Sequence, residues 1–166
     1  MGLAIALLGV VSPSPLHASG DPASEYVTGR VGEKAILGIA PEWQASFDAY
    51  APDENALKRI RGAAGRVGKE LEVQVVFGSW CGDSLDGVPR YIKVMRLLGK
   101  DALKSTYIGV DRQKIDPKRE VEGKDIQRVP TYIVYWRGIE LGRIIETPKA
   151  SIEADLASIL EKPGQP

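Results

Sequence analysis

The sequence predicts an α/β domain of three layers, α/β/α, with a mixed central sheet of about four strands and a helical extension in front of it. Three observations lead there. Leu71 to Phe77, LEVQVVF, reads as a strand that turns fully apolar at its end, as a central strand does. The stretch from Gly82 to Leu98 carries Leu85, Val88, Ile92 and Met95 at helical spacing, and a second strand, Thr106 to Val110, follows it. Such a strand–helix–strand unit implies a right-handed parallel crossover. Thr131 to Trp136 and Ile139 to Ile145 then flank Arg137-Gly138, which reads as an antiparallel hairpin.

Taken in order, Met1 to Val11 is an uncharged apolar run. It is shorter than the roughly 20 residues that span a bilayer. Residues 1–18 read as a secretory signal peptide cut after Ala18, although no basic residue precedes the run. Residues 19–40 read as a linker with a short strand near Ala35 to Ile39. Residues 41–68 form the helical extension. Its first helix has Pro41 at the first position and Trp43, Phe47 and Tyr50 at packing spacing. Asp53 caps a second helix that runs to Val67, with Gly65 and Gly68 helping to end it. The core spans 71–160 within a domain of 41–162. Pro89 interrupts the 82–98 helix, and Gly99 ends it. Residues 111–128 are charged and irregular, with a short helix over Lys118 to Ile126. Pro148 to Leu160 is a closing amphipathic helix, and 163–166 is a tail.

Composition narrows the functions. A chain of 166 residues with 43% hydrophobic and 27% charged content can bury a core. Lys plus Arg number 22 and Asp plus Glu number 22, so there is no basic excess for nucleic acid. The single histidine, His17, leaves with the signal peptide, which removes Ser-His and Cys-His pairs and the usual zinc sites. No metal and no cofactor are expected, no membrane span in the mature chain, and a monomer.

One cysteine remains, in Phe77-Gly-Ser-Trp-Cys-Gly-Asp-Ser84. Cys81 stands where a strand hands over to a helix N-terminus. Unpaired N–H groups and the helix dipole there favour a thiolate, the reactive form. Asp83 opposes that charge, and the helix terminus is expected to prevail. Ser84, one turn on, can aim its hydroxyl or its N–H at the sulfur.

Trp80-Cys81-Gly82-Asp83-Ser84, Pro89, Val129-Pro130-Thr131 and Gly138 together resemble the thioredoxin family over about Leu71 to Leu160, with Ser84 in place of the second cysteine. The resemblance implies a thioredoxin-like fold and a cis peptide before Pro130. It also implies a substrate groove made by Trp80, Gly82, Asp83, Val129 and Pro130. It makes Cys81 the nucleophile and Ser84 its partner in a CxxS site. The family's buried acid and its companion lysine fall on Val75 and Tyr107, so proton transfer to a leaving sulfur should be slower. Ser84 cannot resolve a mixed disulfide. Partners are then protein thiols or disulfides, or a low-molecular-weight thiol, in the periplasm or outside the cell. A redox-inactive module that binds an extended peptide is the alternative. A thiol peroxidase ranks last, because no resolving cysteine is present.

Overall fold

The computed structural model describes residues 26–67, 70–99 and 102–162. The signal peptide, Gly68 and the tail lie outside them.

The chain runs β1 (Gly29–Arg30), α1 (Glu33–Leu37), α2 (Pro41–Ala49), α3 (Glu54–Val67), β2 (Leu71–Phe77), α4 (Gly82–Leu98), β3 (Lys104–Gly109), β4 (Thr131–Trp136), β5 (Ile139–Ile145) and α5 (Ile152–Leu160). The sheet order is β1-β3-β2-β4-β5. β2 and β3 are parallel, and every other neighbouring pair is antiparallel. This is a mixed α/β sheet of thioredoxin-like arrangement. None of the described helices is long and apolar enough to cross a membrane.

Three sequence expectations change. The sheet has five strands rather than four, because Gly29–Arg30 pairs with Gly109 and Ile108. The supposed strand at 35–39 belongs instead to helix α1, whose Ile36 and Leu37 are buried in the main core. Residues 26–40 are therefore part of the fold rather than a linker. The expected helix at 118–126 is a set of turns. There the Asp116 carboxylate accepts from the backbone N–H of Lys118 and of Val121, and Arg119 and Asp125 adopt positive φ. Side-chain acceptors of this kind compete with helix formation.

Two apolar clusters divide the interior. Alternate residues of β2 (Leu71, Val73, Val75, Phe77) join Tyr107, Tyr132 and Val134 with the helices in the larger one. Val76, Ile108, Val110, Val121 and Val129 form the smaller one, on the face covered by the 111–128 segment. The helical extension is packed into the main core. Trp43 meets Phe77 edge to face at 5.9 Å between ring centroids. Glu153 of α5, 1% exposed, accepts from Tyr50 Oη at 2.8 Å and from the Asp53 backbone N–H at 2.9 Å. α5 starts at Ile152, later than the sequence implied, because Ser151 Oγ accepts from Ala154 N and caps it there.

Candidate functional site

The parallel β2–β3 pair ends at Phe77↔Gly109, and the chain leaves β2 through Gly78. A Cβ at Gly78 would lie 2.6 Å from the Trp80 ring, so glycine is needed there for the tryptophan to fold back. Trp80 Nε1 donates to Val110 O at 3.1 Å. Arg112 lies over its face at 5.0 Å, and Tyr26 meets it edge to face at 6.5 Å. The N-terminal segment is fastened here too: Val27 N donates to Ser79 Oγ at 3.0 Å.

Cys81 is the N-cap of α4, half-buried, with extended backbone angles. Its sulfur therefore sits at the positive end of a 17-residue helix. The thiol donates to the carbonyl oxygen of Val129 at 3.2 Å, and the Val129–Pro130 peptide is cis. Val129 and Pro130 are buried, while Gly82 and Asp83 are open to water. The structure thus brings Trp80, Cys81, Gly82, Asp83, Val129 and Pro130 to one end of the sheet.

Ser84 departs from expectation. It is fully buried, and its Oγ accepts from the Gly78 backbone N–H at 3.2 Å. The hydroxyl is committed to the strand exit rather than to the sulfur. No carboxylate lies on β2 beneath the site: Val75 fills that place, flanked in register by Tyr107 on β3 and Tyr132 on β4. Tyr107 Oη reaches away to Glu33 Oε1 at 3.2 Å. Burial, above all, holds the phenols of Tyr107 and Tyr132 protonated well past their ordinary range.

Among the described residues no group of three or more His, Cys, Asp or Glu side chains is placed to hold a metal. A cleft of about 230 Å³ opens beside the first turns of α4, between Asp83, Gly87 and Arg90 on one side and Glu146 and Ser151 on the other. Sequence reasoning missed Gly78, Arg112, Tyr132 and Gly87. Alternation along β4 could have placed Tyr132 on the face of Val75, but nothing local marks the other three.

No protein-family description and no curated protein matches the chain. Among solved structures it is similar to a protein of unknown function from Pseudomonas aeruginosa, at 16% identity and a TM-score of 0.49 over 78% of this chain and 84% of that one. It is also similar to an HIV epitope scaffold, at 16% identity and a TM-score of 0.47 over 77% and 76%. Oxidised thioredoxin O2 from Arabidopsis thaliana follows at 18% identity and 0.39, over 63% and 86%.

Proposed function

We propose that the chain is a monothiol thioredoxin-like protein that carries out thiol–disulfide exchange or isomerisation through Cys81. One observation carries the reading: the lone sulfur sits at a helix N-terminus against Val129 O, while the hydroxyl one turn on is held by Gly78 N. The Cys81 thiolate attacks one sulfur of a disulfide. An S–S bond forms to Cys81, the old S–S bond breaks, and the second sulfur leaves with the electron pair as a thiolate that water protonates. Ser84 cannot reverse this, so an outside thiol, or another cysteine of the client, must release the adduct. The substrates are protein disulfides or a small disulfide such as oxidised glutathione. A periplasmic or secreted location is part of this proposal, supported by the reading of the apolar run at Met1 to Val11 as a signal peptide.

The test is direct. Reduced protein is incubated with oxidised glutathione and its mass followed. A single glutathione adduct at Cys81 is expected, persistent until a small thiol is added, and absent in Cys81→Ala. Alkylation by iodoacetamide no faster than that of free cysteine, with no adduct, would overturn the reading. If Cys81→Ala nonetheless retained a client peptide, the chain would be a redox-inactive binding module working through the Trp80 and Pro130 surface.

A further inference from the structure

The carbonyl that accepts from the Cys81 thiol does not stand alone. Val129 O lies 3.2 Å from the sulfur, on the short loop Arg128-Val129-Pro130-Thr131. Three hydrogen bonds fasten that loop. Thr131 Oγ1 donates to Arg128 O at 2.6 Å, across the loop itself. The backbone N–H of Glu146, just past β5, donates to Pro130 O at 2.7 Å. The Arg128 guanidinium donates to the Glu146 carboxylate, also at 2.7 Å. Glu146 thus grips the loop twice, through the residues on either side of Val129.

Glu146 holds an awkward backbone to do so. Its φ is 54°, in the left-handed region that residues other than glycine avoid. A glycine would sit there without strain. What the glutamate adds is its carboxylate, and that carboxylate pairs with Arg128. Residues held in such conformations collect at functional sites. Resting on the exchange reading above, we propose that Glu146 is a positioning residue: by clamping Arg128 and Pro130 it holds Val129 O against the Cys81 sulfur. A hydrogen bond made by the neutral form of a group favours that form. The clamp therefore opposes the pull of the helix terminus and restrains the thiol until the loop gives. The other ionisable groups beside the sulfur are Asp83 in the first turn of α4 and, through charge alone, Tyr132 of β4, whose buried hydroxyl has no hydrogen-bond partner. Both stay unchanged in the variants that test the clamp.

The experiment follows Cys81 ionisation by thiolate absorbance, and iodoacetamide alkylation across pH, in wild type, Glu146→Ala and Arg128→Ala. Charge alone would move the two variants in opposite directions, since losing a carboxylate eases ionisation of a nearby thiol and losing a guanidinium hinders it. Loss of the clamp moves both profiles to lower pH. Alkylation at neutral pH should then rise about twofold to tenfold in each, the size of one hydrogen bond. The double variant should move no further than either single one, because both break the same ion pair. Opposite shifts, or an unchanged profile in either variant, would overturn the proposal. Should Glu146→Ala fail to fold, Arg128→Ala, which removes an exposed side chain, decides alone: only a shift to lower pH, against the direction of its lost charge, sustains the clamp. A wild type that forms no glutathione adduct while the profiles move as stated defeats the exchange reading alone.

Discussion

Ser84 Oγ and Gly78 N lie 3.2 Å apart, and this bond ties the first turn of α4 to the strand that precedes it. Ser84→Ala removes the acceptor and leaves a buried N–H unpaired. Urea unfolding should report a loss of about 1–3 kcal/mol. Under the proposed exchange, the Cys81–glutathione adduct should form at an unchanged rate, because the serine oxygen bonds the strand exit. Ser84→Cys adds the missing resolving thiol, so the adduct should collapse into an internal disulfide seen by mass spectrometry. An adduct equally long-lived in both proteins would refute this division of labour.

Gly87 offers a case in which two effects compete. A glycine within a helix costs about 1 kcal/mol relative to alanine. Here the added Cβ would meet Tyr132 Oη at 2.6 Å, and overpacking of that kind costs roughly 1–3 kcal/mol. Gly87→Ala alone should therefore destabilise. Combined with Tyr132→Phe, which leaves that Cβ ordinary contacts with Pro130 Cγ at 3.5 Å and with the ring Cζ at 3.8 Å, it should become neutral or stabilising. The double-mutant cycle is read by urea unfolding, and additivity of the two changes would contradict the packing.

Glu153 is the polar joint between the helical extension and α5. Glu153→Ala leaves Tyr50 Oη and the Asp53 N–H without their charged acceptor and should cost about 1.5–3 kcal/mol for a bond of this kind. Tyr50→Phe, which breaks only one of the two contacts, should cost less. Equal losses from both variants in thermal unfolding would show that the joint is not built as described.

Alkaline pH should weaken the fold. Desolvation raises the phenols of Tyr91, Tyr107 and Tyr132 above their ordinary value of 10.0. In the unfolded chain they ionise near about 10. Above that pH the native state binds more protons than the unfolded one, so stability is complete below it and declines as pH rises further. The slope approaches about 1.4 kcal/mol per pH unit for each buried phenol. Urea midpoints at rising pH check this, and Tyr91→Phe should make the decline shallower. A flat profile would contradict the burial.

Much of this was legible because it is local. The hairpin at 131–145 announces itself through Arg137-Gly138, which take φ of 50° and 78° as a tight turn between strands requires. β2, the start of α2 at Pro41 and the Trp80-Cys81 handover to α4 are equally local. β1 was not legible. It is two residues long and exists because Gly109, whose Cβ would lie 2.3 Å from Val27 O, lets a distant segment approach β3. The helix expected over 118–126 does not form, since the Asp116 carboxylate turns the backbone away from it. At the site, the sulfur, the tryptophan and the prolyl loop follow from a motif. The partners of the Ser84 and Tyr132 hydroxyls, one present and one missing, depend on how a helix settles on a sheet.

Trp80 is gripped by a carbonyl, a guanidinium and a second ring, whereas Gly82 and Asp83 stand in water. The sulfur therefore has one unyielding flank and one free approach. Under the proposed exchange, bulk and the direction of approach become a filter in their own right: slim disulfides are expected to react readily, and a folded client only where it offers a protruding strand or loop.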